Sequence, residues 1–207
     1  MPFATLVRQR LRLLAAAGAV EVSLEIHVAR AARPYTRNEY IGRVMWALVM
    51  PLFRFSPRVA FGWRRWLLRR FGASVAAGVH VYPSVRVVIP WNLRIDADAA
   101  VGEDVLLYNL GPIHIGARAT VSHRAHLCAG SHDYADPTLP LLRLPISIGA
   151  QAWVCADAFV GPGVTVGEGA VVGAAAVVMR DVQPWAVVAG NPAVFVKQRV
   201  LREAGPK

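Results

Sequence analysis

The chain has 207 residues, of which 55% are hydrophobic and 17% charged, so it can build a full core and is not intrinsically disordered. Two cysteines exclude a disulfide-framed mini-protein and a four-cysteine zinc site. The net charge of +10 sits in one region: residues 1–70 hold 13 Arg against Glu21, Glu25 and Glu39, and the remainder is balanced.

Residues 4–32 are rich in Ala, Leu, Val and Arg and are expected to form one or two helices. The apolar run at residues 11–20 follows Arg8 and Arg10 as a secretory signal would, but Arg12, Glu21 and Glu25 break it, so no removable signal is expected. Helical spacing continues over residues 38–55 and 59–71, with a break at Ser56-Pro57. Residues 41–55 are the most membrane-like stretch, yet Arg43, Pro51 and Arg54 interrupt them and they fall short of the ~20 residues of a spanning helix. Trp46, Phe53, Phe55, Phe61, Trp63 and Trp66 crowd this region. They are expected to cover the end or flank of the domain that follows, and they also suit an amphipathic face on an anionic membrane surface. With two unpaired cysteines, no signal and no span, the chain is expected in the cytoplasm, and residues 1–72 are the region expected to make any peripheral contact at the inner membrane face. A nucleic-acid partner is not expected, because no recognised module accompanies the charge.

From about residue 75 the pattern changes. Ile148, Val154, Val160, Val166, Val172 and Val178 recur every sixth residue. Gly149, Cys155, Gly161, Gly167, Gly173 and Met179 follow them, and Ala152, Ala158, Val164, Ala170, Ala176 and Val182 hold the fifth place of each six. The same rhythm runs through Ile95, Val101, Ile115 and Val121. A period of six is not helical, and it fits short strands joined by tight corners, with the aliphatic residue inside a prism. Three sixes make one coil, and residues 75–190 predict about five coils of an all-β solenoid. The rhythm is interrupted by an insertion at residues 130–145 and by smaller irregularities at residues 88–93 and 107–114. Beyond residue 182 it stops, and residues 194–204 suit a short closing helix. The expected organisation is a basic, mainly helical region over 1–72, a repeat domain over 73–193 and a C-terminal helix with its tail over 194–207.

The segments FGWRRWLLRRFGA (61–73), YPSVRVVIPWNL (82–93), LYNLGPIHIG (107–116), LCAGSHDY (127–134), 145–178 and PWAVVAGNPA (184–193) carry a resemblance to a known family. With the hexapeptide ladder, the chain resembles the left-handed β-helix acetyltransferases. Within them it is most similar to the group linked to colanic-acid and exopolysaccharide biosynthesis, related to the maltose, galactoside and nodulation-factor O-acetyltransferases. The resemblance covers roughly residues 40–200 and implies a left-handed coil, a homotrimer with active sites between subunits, and acetyl-CoA as cosubstrate. It implies acetyl transfer to a hydroxyl of a sugar or polysaccharide precursor. A non-sugar acceptor such as serine or an antibiotic is the alternative chemistry, and a non-catalytic scaffold on an anionic surface is the alternative role.

Acetyl transfer needs a base for the hydroxyl proton, and imidazole titrates near neutrality. His132 lies in the insertion, where the resemblance places the catalytic histidine, and Asp133 is its candidate support. Asn109, His114 and Trp153 are the candidate acceptor residues. Gly161, Gly173, Ala174 and Ala176, on an edge that also holds Gly167, are expected to flank the pantetheine arm of coenzyme A, with Arg180, Lys197 and Arg199 near its phosphates. No G-x-G-x-x-G or P-loop is present. His123 and His126 are read as surface or inter-subunit residues. The rival reading is a metal site of His123, His126 and His132, as in the γ-type carbonic anhydrases. On one flat face His123 and His126 would stand about 10 Å apart by strand rise, too far to share an ion, so no metal is expected. Cys128 and Cys155 are expected to be inert thiols.

Overall fold

The computed structural model describes residues 35–202. Residues 1–34 and 203–207, including the helices expected over residues 4–32 and the end of the C-terminal tail, lie outside the described residues. The described residues fall into two units, the solenoid with its helices and the insertion His132–Pro140.

Helix α1 (Arg37–Arg54) starts at a capping box: Thr36 Oγ1 accepts from the Glu39 N–H and Glu39 Oε2 from the Thr36 N–H, at 3.3 and 2.7 Å. The Ser56-Pro57 break separates it from helix α2 (Phe61–Arg70). Among the described residues no helix is long and apolar enough to cross a membrane.

The six-residue rhythm becomes a three-faced β-solenoid. The first face stacks Ser74–Val75, Leu93–Ile95, Ile113–Ile115, Ile146–Ile148 and Thr165–Val166. The second stacks His80–Val81, Ala100–Val101, Thr120–Val121, Trp153–Val154, Val171–Val172 and Ala186–Ala189, and the third Arg86–Val87, Leu106–Tyr108, His126–Cys128, Phe159–Val160 and Val177–Val178. Each pairing is parallel and in register. Five full turns and the opening of a sixth result, one part-turn beyond the expected five.

Each six sends two side chains inward. Val154, Val160 and Val172 are fully buried, and so are Ala158, Ala170 and Ala176 from the fifth places. The residue before each inward small side chain turns the corner in the left-handed conformation, as at Asp98, Arg118, Asp157 and Ala175, with φ between 55° and 59°. The early coils are two residues longer than the later ones, since Ile95 pairs with Ile115 but Ile148 with Val166. The extra residues form the irregular edge at residues 88–93 and 109–112, including a 3-10 turn at Pro90–Asn92.

A parallel solenoid leaves the carbonyls of its first coil without partners. Here α2 supplies them: Arg69 donates to Val75 O, Arg65 to Val79 O and Arg64 to Val81 O, while α1 contributes Trp46 Nε1 to Val87 O at 2.7 Å. All three faces therefore have their open edge capped, which answers the exposed-edge hazard of sheets. Leu67, Leu68, Phe53 and Trp46 are buried in the same core cluster as the coils.

The expected C-terminal helix is not formed. Residues Val194–Gln198 are a strand, antiparallel to Ala186–Ala189 on the second face. The run Val194-Phe195-Val196 has β-branched and aromatic preference, and the last coil offers it an unpaired strand. Arg199 fastens its end, donating from Nη1 to Gln151 O and Gly169 O at 3.0 and 2.8 Å.

Candidate active site

The insertion holds His132 in a defined state. Its Nδ1 lies 2.7 Å from the carbonyl oxygen of Leu139. A carbonyl can only accept, so in the neutral ring Nδ1 carries the hydrogen and Nε2 keeps the lone pair. The ring is exposed, and Nε2 is the atom able to take a proton from a substrate.

The loop around it is built to present that carbonyl. The Asp133 N–H donates to Pro140 O at 3.1 Å, and the Leu139 N–H to Asp136 O at 2.9 Å. Asp136 Oδ1 accepts from both the N–H and the hydroxyl of Thr138 at 2.8 Å, and the N–H bond of Thr138 leads the causes that hold the Asp136 carboxyl below its ordinary range. Leu139 itself takes the left-handed conformation, φ 48°. Such a conformation is rare for a side-chain-bearing residue, and strain of this kind gathers at functional sites. Asp133 does not orient the ring: its Oδ1 accepts from the Ala135 N–H at 3.0 Å, and the partner of His132 is Leu139. The sequence carries no sign of the Leu139 carbonyl, because every residue has one.

Two other candidates stand on separate faces of the solenoid. His114 projects from the first face between Arg94 and Ser147, with Nε2 2.7 Å from Asp96 Oδ2. Burial would raise the Asp96 carboxyl, but hydrogen bonds and charge from His114 and Arg94 outweigh it and hold the carboxyl low. Trp153 projects from the second face, 46% exposed, and its Nε1–H donates to Ser122 Oγ at 2.8 Å. One chain does not bring these two side chains together.

Asn109 is corrected outright. It is fully buried and cannot meet an acceptor. Its Oδ1 accepts from the N–H groups of Val88 and Ile89 at 3.1 and 2.9 Å, and its Nδ2 donates to Ile89 O. The side chain pins the irregular edge. Replacing Asn109 with Ala orphans the buried Ile89 N–H, while the Val88 N–H keeps Leu107 O and Ile89 O keeps the Asn92 N–H, and it is expected to cost about 2 kcal/mol of unfolding free energy, measured by urea denaturation. A normal unfolding free energy with a raised acceptor KM would instead restore the binding role.

The coenzyme candidates also divide. Residues six apart fall on successive edges, so Gly161, Gly167 and Gly173 do not line one edge. The residues stacked on one edge are Gly116, Gly149 and Gly167, where a Cβ on any of them would meet backbone of the next coil at 2.4–2.6 Å. Gly161 is buried under Met179 and Ala176 is interior. Arg199 is engaged by two carbonyls, as above. Ala174, Arg180 and Lys197 are exposed and Gly173 half-buried. Arg180 lines a cavity of about 630 Å³ between the last coil and the closing strand, with Val178, Met179, Gln183 and Phe195.

His123 and His126 do not share a flat face. His123 follows the second-face strand Thr120–Val121, and His126 opens the third-face strand Leu127 belongs to, a corner away. Among the described residues no group of three His, Cys, Asp or Glu is placed to hold a metal ion. Burial, and secondarily Arg86, lowers the pKa of His126, whose Nε2 is buried with no hydrogen-bond partner between Tyr108 and Phe159. The unfolded chain binds the proton more readily, so this contribution to stability is present above about pH 6.5 and lost as pH falls below it. His126→Phe is expected to flatten the acid limb of a plot of melting temperature against pH, and an unchanged limb would remove His126 as its cause. Burial raises the Cys155 thiol above its ordinary value, which disfavours the reactive thiolate.

No model of a protein family matches the chain. The chain is 44% identical over 161 residues to the proposed colanic acid biosynthesis acetyltransferase WcaF of Escherichia coli K12, spanning 78% of this chain and 88% of that one. Its fold is that of a maltose O-acetyltransferase from Clostridium difficile 630, with a TM-score of 0.74 and 21% identity over 87% of this chain and all of the other. A hexapeptide-repeat acetyltransferase of Vibrio cholerae, solved with acetyl coenzyme A, superposes with a TM-score of 0.71 at 21% identity, over 79% of this chain and 90% of that one. The hexapeptide solenoid together with the similarity to WcaF along most of the chain thus defines an acetyltransferase. The chain belongs to the hexapeptide-repeat acetyltransferases.

Proposed function

We propose that this protein moves an acetyl group from acetyl-CoA to a hydroxyl of a sugar or polysaccharide precursor, with His132 as the general base. The observation that carries the proposal is the Leu139 carbonyl on Nδ1, which leaves Nε2 as the proton acceptor. The acceptor O–H gives its proton to Nε2 as its oxygen attacks the thioester carbonyl. The tetrahedral intermediate collapses, the C–S bond breaks, and the proton passes to the departing thiolate. The products are an acetyl ester and free coenzyme A, and no covalent enzyme intermediate is needed.

The similarity to WcaF supports the acceptor class, and the Vibrio cholerae complex supports the donor. Gly173 and Ala174 remain available to the pantetheine arm, and Arg180 and Lys197 to phosphates. Because His114 and Trp153 stand on different faces, a left-handed homotrimer that sets the first face of one copy against the second face of another would assemble the acceptor pocket. The test is thiol release from acetyl-CoA with a panel of sugars, nucleotide sugars and serine. Release that depends on a sugar is expected. Release only with serine, or coenzyme binding that no acceptor converts to turnover, would overturn the acceptor class.

A further inference from the structure

Helix α1 is apolar on two opposite sides. Trp46 and Phe53 are buried toward the solenoid. On the far side Ile41, Val44, Met45, Leu48, Leu52 and Phe55 recur at three- and four-residue spacing, and each is 49–83% exposed. Trp63 and Trp66 of α2 extend this stripe: their rings stack at 5.1 Å, and Trp63 Nε1–H donates to Leu52 O at 3.0 Å. Two shallow hollows between the helices share Leu52 and Trp63, so the patch is continuous. Surfaces left to water rarely keep an apolar patch of this extent.

The charge beside the patch has one sign. Glu39, the one acid of the two helices, is held by Thr36 and Arg143. Arg54 and Arg70 stand at the C-terminal ends of α1 and α2 with no carboxylate in salt-bridge range among the described residues. We propose that this face docks on a bilayer containing anionic lipid. Leu48, Leu52, Phe55 and the tryptophan pair enter the acyl–headgroup boundary, and Arg54 and Arg70 meet lipid phosphates. Because α2 caps the first coil, the solenoid stands end-on to the membrane.

The test is co-sedimentation of the full chain with vesicles of phosphatidylcholine alone or mixed with phosphatidylglycerol. Binding to the mixed vesicles at low salt is expected, with a blue shift of tryptophan emission. Leu48→Glu with Phe55→Glu is expected to lower the partition on the order of tenfold, with unfolding midpoint, oligomeric mass and thiol release on a soluble acceptor unchanged. Arg54→Glu with Arg70→Glu is expected to abolish the preference for phosphatidylglycerol. No sedimentation with mixed vesicles, or equal sedimentation of wild type and the Leu48/Phe55 variant, overturns the proposal. A lowered midpoint or altered mass in that variant also overturns it, by assigning the face to residues 1–34 or to a second copy. The acetyl-transfer assay reads separately, so failure of one reading leaves the other standing.

Discussion

His132→Ala is expected to lower kcat by at least ~10²-fold while leaving coenzyme A binding intact, since a positioned base contributes on this scale. His132→Asn is the sharper variant. Its amide can still donate to the Leu139 carbonyl, so the loop keeps its internal bond, but it offers no lone pair basic enough to take the hydroxyl proton. Both variants are expected to be equally slow. A structural histidine would give a different result, with Asn rescuing much of the loss. Steady-state thiol release decides this, and wild-type turnover by His132→Ala would place the base elsewhere.

Arg64→Leu is expected to be the most destabilising single change in the described fold. The side chain is fully buried, and all its partners are neutral oxygens. Nε donates to Val81 O at 2.6 Å, Nη1 to Ser56 Oγ and Pro57 O at 2.7 and 2.8 Å, and Nη2 to Arg58 O at 2.6 Å. Burial lowers its pKa, yet the four acceptors hold the charge in place. Leucine fills part of the volume and leaves Val81 O and Arg58 O unpaired, while Pro57 O keeps the Ala60 N–H and the Ser56 hydroxyl keeps Phe53 O, at a cost on the order of 4 kcal/mol, or roughly 10 °C in Tm. Lysine is not expected to rescue, because one ammonium cannot reproduce a planar fork that spans a solenoid carbonyl and the α1–α2 connection. Arg65 and Arg69 each make one such cap from a less buried position, and their alanine variants are expected to cost about 1 kcal/mol. Calorimetry of the variants ranks them, and a melting temperature for Arg64→Leu within about 2 °C of wild type would remove the cap from the stability account.

The arginines show where sequence reading reaches its limit. A run such as FGWRRWLLRRFGA reads as a basic, aromatic helix that covers something. That three of its guanidiniums reach first-coil carbonyls depends on a helix lying across a strand edge, and no local pattern encodes that distance. The corners are hidden in the same way. The left-handed residue falls at a variable place of the hexad, occupied by Asp, Arg, Gln, Ala, Trp or Gly, because only its backbone is constrained. The C-terminal strand was masked by a spacing that also suits a helix, and the free edge of the last coil decided between them.

By itself the sequence determined the solenoid. Burial of one aliphatic and one small residue every six positions leaves an inward-facing prism as the arrangement that satisfies all of them, and each repeat restates the same constraint. It also determined the interrupted position of His132 and, through similarity along most of the chain, the enzyme class. The tertiary structure decided what single residues do. It placed Asn109 inside the wall, divided the glycines among three edges, engaged Arg199 with backbone and put the Leu139 carbonyl on His132. These outcomes depend on which backbone groups are left unpaired once the coils have stacked. That is a property of the assembled edges, and a residue's place in the repeat does not contain it.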